Sequence, residues 1–287
     1  MGWVYYNKTH LGVNIYIPYP PMFFIMNKLY TAIKQSHPSA RKILYLQIAA
    51  HIGLVYLVVT GSVFEWLACA FAYFLYGCIG FTVTYHRLLS HRAFKSSKLF
   101  RAFGVLCGVM GGIGSPLTFV GQHRDHHRYT DMPKDIYSRF NNPVWYAQWF
   151  TMLEVEKISL RRAADLFRDP ICRFAHRNYF KIHIAYAVLL FCISPMAVVY
   201  FYLAPMAIVW NIANSINTVC HQPAGSRIGY KNFNPLESSV CVLPLGYLSF
   251  GEGWHNNHHM YGRSANFGIK WWELDIGYQV IRIVKIK

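Results

Sequence analysis

The chain has 287 residues, 54% of them hydrophobic and only 14% charged, against roughly 25% charged in soluble domains. That balance excludes an ordinary soluble globular domain and makes insertion into a membrane the leading class. The formal charge of +16 reads first as topology and attraction to anionic lipid, or else as cations that meet a phosphorylated acyl carrier or an acidic redox partner; no nucleic-acid partner is expected.

Residues 1-42 read as an N-terminal cytoplasmic or interfacial segment. They lack a signal-peptide pattern, and Tyr6 breaks the myristoylation pattern. The run NIYIPYPPMFF, residues 14–24, is expected to be an interfacial segment or packed loop. The remainder, 43-287, reads as one membrane domain. Of the 28 Lys and Arg, five lie in 1–42, none in 43–84, 16 in 85–181, none in 182–226 and seven from Arg227 onward. Each cation-free window is about twice the roughly 20 residues that a spanning helix needs, so each predicts a pair of helices.

The first pair is expected at about 43-60 and 63-84, broken near Thr60-Gly61-Ser62. The second is expected at about 182-202 and 205-222, with Pro205 in the first turn of the last helix. The resulting fold class is an all-α integral membrane protein. Four transmembrane helices carry a cytoplasmic helical cap built from segments 85-181 and 223-287. The positive-inside rule puts both termini on the cytoplasmic side. Seven scattered cysteines, with no CxxC, read as small buried hydrophobes in a reducing compartment. The Gly-rich run Gly104 to Phe119 allows close helix packing or lines an apolar tunnel, and the packing reading is preferred.

Nine of the 14 histidines fall in clusters or at a span end: HRLLSH (His86, His91), HRDHH (His123, His126, His127), HNNHH (His255, His258, His259) and His221. His10, His37, His51, His176 and His183 stand alone and are read as structural. Positions i, i+3 and i+4 share one helix face, so each HxxHH can converge its rings, whereas His86 and His91, five apart, lie about 140° apart on an ideal helix. The second span is therefore expected to end or bend between them. All nine lie at cytoplasmic ends of spans or in cytoplasmic segments.

Nine imidazoles exceed what one ion uses, and two metals with four or five nitrogen ligands each fit the count. Without cysteine in the clusters, and with few nearby carboxylates, such a site suits iron, zinc, copper or nickel. Asn217 shares a helix face with His221, and Asn214 lies one turn earlier; Asn217 is a candidate to bind the metal or hold a coordinated water. Asp125, Asp131, Glu252, Glu273 and Asp275 are candidate acceptors for the outer N–H groups of the ligands. No catalytic group beyond the metal centre is expected.

From about Ile43 onward the chain resembles the membrane fatty acid desaturases that introduce a first double bond. The resemblance rests on HRLLSH, HRDHHRYTD, NTVCH and GEGWHNNHH, with RSANFG and WWELD downstream. It implies that the nine clustered histidines ligate a non-haem di-iron centre of two Fe ions and that Asn217 holds a metal-bound water. It also implies that O2 is the co-substrate, reduced with two external electrons while adjacent methylenes lose two hydrogens, giving a cis double bond expected at delta-9. The acyl substrate is then an acyl-CoA or an acyl-lipid drawn from the membrane. A separate ferredoxin or cytochrome b5 type donor is expected, since His37-Pro38-Ser39 lacks the glycines of a haem-binding HPGG. Phe119 stands where many relatives have Trp, and MPKDIYSRFNNP after Asp131 lacks the family's DPH-like sequence. The alternatives are a related di-iron hydroxylase or ketolase acting on a lipid, alkane or carotenoid, and, in another class, a metal-binding membrane transporter.

Overall fold

A computed structural model describes residues 3–6, 15–18, 22–157 and 160–286. Two short strands at the N-terminus, β1 (Trp3–Tyr6) and β2 (Ile15–Pro18), pair antiparallel, and the elements that follow are helical. The run expected to be an interfacial segment or packed loop supplies β2 and the start of helix α1 (Met22–Gln35).

Helix α2 (Pro38–Thr60) starts on Pro38, whose missing N–H costs nothing in a first turn. It stops at Gly61, whose N–H returns to the Leu57 carbonyl. The next residue, Ser62, forms a capping box with Glu65, each side chain accepting the other's backbone N–H, and so starts α3 (Val63–Ser90). Over Val63–Tyr73 this helix is α-helical; over Phe74–Ser90 it winds with wider π turns. Helix α4 (Lys98–Met110) lies against it. Gly80 meets the Cys107–Gly108 backbone, Gly108 meets the Tyr85 ring, and Gly104 meets Thr84. The glycines of the 104–119 run therefore serve close packing as far as Gly108. We expect Gly80→Ala to be destabilised by about 1–3 kcal/mol, read as a lower thermal unfolding midpoint, because its methyl carbon would sit 2.4 Å from the Gly108 nitrogen and backbone would have to move.

Helix α5 (Pro116–Tyr129) is capped by Ser115, which accepts the Thr118 N–H. After it come α6 (Val144–Trp149), 3-10 turns at Thr151–Lys157 and Leu160–Ala163, and α7 (Pro170–Arg177), capped by Asp169.

The second apolar window folds differently from expectation. Helix α8 (Tyr179–Ile193) has 15 residues, about 22 Å at 1.5 Å per residue, short of the roughly 30 Å hydrocarbon core. The break falls at Ser194-Pro195, where the Ser194 hydroxyl accepts the Met196 N–H, and α9 runs unbroken over Pro195–Val219. Pro205 lies inside α9 because the turns at Val199–Leu203 are π-type, which relieves the clash of a proline with the carbonyl four residues back. That carbonyl, on Phe201, accepts the Tyr76 hydroxyl at 2.7 Å. Among the described residues three helices, α2, α3 and α9, are long and apolar enough by themselves to cross a membrane, and α8 is a shorter apolar helix.

The exposed side chains mark where lipid would lie. Ile52, Val55, Val58 and Val59 on α2, Val63, Phe64 and Leu67 on α3, and Ile184, Leu189 and Phe191 on α8 are all exposed, a band too large for a water-facing surface. Past the end of α9 the chain forms α10 (Leu243–Leu248), α11 (His255–Met260) and α12 (Ile276–Val284).

Candidate metal centre

The wide turns of α3 bring its two histidines together. The helix ends at Ser90, between them as the spacing predicts, but the His91 N–H donates to the His86 carbonyl, five residues back, at 3.1 Å. Five residues then span little more than one turn, and the two rings lie 4.8 Å apart between centroids. Helix α5 carries His123, His126 and His127, and α11 carries His255, His258 and His259. His221 follows directly after α9, whose last turn is closed by the Cys220 N–H.

The nine rings sort into two groups. His86, His91, His123, His127 and His258 form one, and His126, His221, His255 and His259 the other; within each, the ligand atoms lie within 4.8 Å of one another. Both HxxHH helices are therefore divided between the groups, α5 sending His126 one way and its other two the other, α11 sending His258 one way and its other two the other.

Their Nε2 atoms face inward. His91 and His123 are 2.7 Å apart at Nε2, His258 is 3.0 Å from His86 and 2.9 Å from His127, and His221 is 3.0 Å from His255. Two nitrogens each about 2.1 Å from a shared ion and at right angles would be about 3.0 Å apart, so the spacing fits neighbouring ligands of one ion. The buried Nε2 atoms of His126 and His259 have no hydrogen-bond partner among the described residues, a costly state for a lone pair unless a cation meets it.

Burial, and then the neighbouring imidazoles, push His123, His127, His255, His258 and His259 well below the ordinary histidine value. His91 is pushed down to about 3 by burial and by Arg124 and Arg87. These rings are neutral at pH 7 and so have lone pairs to give. The unfolded chain takes up protons below about 6.5 while the folded site resists, so stability and metal affinity fall together as pH drops. Metal content after equilibration at stepped pH is expected to decline between about 6.5 and 3; content unchanged at the lower end would count against histidine ligation.

Carboxylates hold the outer edges of four rings. Glu252 contacts His86 Nδ1, Asp135 is 3.0 Å from His126 Nδ1, and Asp131 is 3.5 Å from His221 Nδ1. Glu237 is 3.7 Å from both His221 and His259 at Nδ1, and the Ser238 hydroxyl is 3.2 Å from His221 Nδ1. With Nε2 bare toward an ion, Nδ1 of His86, His126 and His221 carries the proton and donates outward, to Glu252, Asp135 and the Ser238 hydroxyl, which fixes tautomer and ring orientation. Asp131 reaches this position with a left-handed backbone, φ 63°, which aspartate tolerates.

Burial pushes the Glu252 carboxyl up to about 8 against the pull of Arg87; positive charge at His86 would favour its ionised form. Fully buried Arg87 donates from one nitrogen to both Asp275 oxygens at 2.8 Å and from another to Glu252 at 3.3 Å. Its guanidinium also lies 3.8 Å over the Phe267 ring.

Three candidates from the sequence sit elsewhere. Asp125 accepts from Arg162 Nε at 2.8 Å and is an ion-pair partner, not an acceptor for a ring, because it points off the side of α5 that faces the Leu160–Ala163 turn. Asp275 acts one residue further out, through Arg87. Glu273 accepts from Asn257 at 2.9 Å and from the Ile269 and Lys270 N–H groups, bracing α11. Asp135, Glu237, Ser238 and Arg87 escaped sequence reading; scarcity alone, 12 acids in the chain, could have drawn attention to the two carboxylates.

A cavity opens beside the rings. Its polar lining includes His86, His123, His255, Asn214 and Asn217, and its apolar lining Ile43, Phe81, Ile113, Phe119, Met152 and Trp210. Among the isolated histidines, His37, His51, His176 and His183 bond to Ser39, Gln47, Ser115 and Tyr202, as structural histidines do; His10 lies outside the described residues.

Comparison with known proteins bears on this arrangement directly. The family model for fatty acid desaturase matches residues 64–282. The chain is 30% identical over 246 residues to an sn-1 stearoyl-lipid 9-desaturase of Anabaena variabilis, covering 83% of this chain and 88% of that protein. It is 33% identical over 231 residues to delta-9 acyl-lipid desaturase 1 of Arabidopsis thaliana, covering 78% and 74%. Against an icosanoyl-CoA 5-desaturase of Limnanthes douglasii it is 31% identical over 227 residues, 77% of this chain but 62% of that longer protein. The histidine groups, the apolar helices and these matches lead to one conclusion: the chain belongs to the fatty acid desaturase family and is an oxidoreductase of lipid metabolism.

Proposed function

We propose that this protein introduces a cis double bond, at delta-9, into a saturated fatty acyl chain at a di-iron centre held by His86, His91, His123, His127 and His258 on one side and His126, His221, His255 and His259 on the other. The observation that carries the reading is that histidines of both imidazole groups, His86 and His123 of one and His255 of the other, line a largely apolar cavity. An unactivated methylene has no acidic proton and no electrophilic carbon, so a metal-borne oxidant drawn from O2 must supply the reactivity while the protein orients the chain.

The protein's own part is positional. Phe81, Phe119, Met152 and Trp210 would enclose the acyl chain and exclude water, and Asn217, which also lines the cavity, would hold a metal-bound water. Glu252, Asp135 and Asp131 keep the Nδ1 protons of His86, His126 and His221 on the outward side, and the Glu237 carboxylate stands near His259. The delta-9 position and the acyl-lipid carrier are supported by the names of the relatives, with acyl-CoA as the second carrier. The positive-inside rule supports a multi-pass protein with both termini and the metal centre on the cytoplasmic side, within reach of a separate ferredoxin or cytochrome b5 type donor; this arrangement needs an even number of crossings, with the shorter apolar helix α8 crossing beside α9.

The test uses isotopically heavy oxygen gas. Purified protein supplied with a saturated acyl donor and reductant should place the label in water and leave it out of the unsaturated product. Label retained as a hydroxyl group would convert the assignment to a hydroxylase.

A further inference from the structure

The helices that line the cavity show where it stops. Along α5 and the turn before it, the lining runs from His123 back to Gly114 and Ile113; along α9 it runs from Asn217 back to Trp210. Both series lead away from the rings, toward the N-terminal ends of their helices. On α2, Ile43 lines the same cavity.

Ile113, Trp210 and Ile43 each have a neighbour just beyond the lining, and the three neighbours meet. Gly112 directly precedes Ile113, Met206 lies one turn before Trp210 on α9, and Gln47 lies one turn after Ile43 on α2. A methyl carbon on Gly112 would lie 2.6 Å from Met206 Cγ and 2.8 Å from Gln47 Nε2, and Gln47 Nε2 donates to the Gly112 carbonyl at 3.0 Å. Gly112 has a left-handed backbone, φ 71°, so glycine both turns the chain between α4 and α5 and lets the two side chains close over it. Met206 and Gln47 are both buried. The Gln47 Oε1 has no hydrogen-bond partner among the described residues, so a buried amide stands here at a cost. What it gains over an aliphatic side chain is the bond that pins the turn.

We propose that Met206, pressed on Gly112 beside Gln47, is the floor of the acyl cavity and sets the longest chain the protein accepts. A polar, bulky head group does not pass between packed helices, so the methyl end of the substrate leads into the closed end. Met206 lies about 16 Å along α9 from Asn217 at 1.5 Å per residue, and the methylenes beyond the reacting pair occupy that length. A chain that already touches Met206 has no room for further methylenes, because the floor is backed by the Gly112 backbone and interiors of this kind are close-packed. Gln47 is a positioning residue that keeps Gly112 under Met206. The inference rests on the proposed desaturation of an acyl chain in this cavity and adds the residue that selects its length.

The test is a competition. Full-length, iron-loaded protein with reductant and O2 receives an equimolar series of saturated acyl donors, each two carbons longer than the last, and the unsaturated products are separated by chain length. Because all donors share one reaction, the ratio of products does not depend on how much protein is folded. Met206→Ala removes three heavy atoms from the floor and should raise the ratio of the next longer product to the preferred one by about tenfold or more. Met206→Trp should shift the ratio toward shorter chains. Gln47→Leu, which frees the turn, should relax the selection in the same direction as Met206→Ala. Leu190→Ala, which removes buried volume on α8 outside the cavity lining, should lower the unfolding temperature and leave the ratio unchanged. The intact protein's ratio in both Met206 variants, or an equal shift in Leu190→Ala, overturns the floor and leaves the desaturase reading standing. Absence of any unsaturated product from the intact protein overturns both.

Discussion

Replacing His258 with Ala is expected to reduce desaturation to background, a loss of more than about 100-fold, and to lower bound iron while the helices remain folded. His258 is chosen because its Nε2 stands between two others, 3.0 Å from His86 and 2.9 Å from His127. Its removal opens a gap in the middle of the five-ring group and lets water in where a nitrogen was. Phe267 packs on the ring at 4.3 Å and cannot substitute a donor atom. His127→Ala, which removes a nitrogen from the same group, should behave alike. Metal analysis and circular dichroism on the same preparation separate ligand loss from misfolding. A fully metallated, active His258→Ala protein would remove this histidine from the ligand set.

The largest expected effect on stability is at Arg87. It is 0% exposed and lies between two carboxylates, Asp275 and Glu252. Arg87→Met has suitable length for the hole but leaves both acids buried without their cation, and breaking a buried ion pair from one side costs about 3–5 kcal/mol. The variant should unfold at a markedly lower temperature in detergent. It should also bind metal about 10–100-fold more weakly, because Glu252 would no longer be held against His86. Arg87→Lys should recover part of the stability, since one ammonium cannot make both contacts and stack on Phe267. Wild-type stability in Arg87→Met would mean that the cluster contributes nothing to holding the C-terminal segment on α3.

Much of the site was legible because helix spacing is a local property. The i, i+3, i+4 pattern of HRDHH and HNNHH brings three rings to one side of a helix whatever the tertiary structure does. The division of each triplet between two imidazole groups was not legible, since it depends on how separate elements meet in space, with His126 meeting His221 and His258 meeting His86. His86 and His91 looked mismatched only against α-helical geometry, and no residue type announces a π turn. The same blindness misplaced the second hairpin. Pro205 is a strong breaker in an α-helix, but the widened turn before it and the Tyr76 hydroxyl on Phe201 keep α9 intact. The actual break carries only Ser194-Pro195 inside an apolar window. Asp135 and Glu237 were invisible because loops position them, and a loop carboxylate gives no periodic signal.

The central claim, that the two histidine groups desaturate acyl chains, is met most directly by a fatty acid profile with double-bond positions. The host should lack its own desaturase and express either the intact chain or His127→Ala. The account predicts a new cis monounsaturated acid, with its double bond at carbon 9, only with the intact chain. Unchanged lipids from an expressed, iron-loaded protein supplied with an electron donor, or the same new acid from His127→Ala, would contradict it.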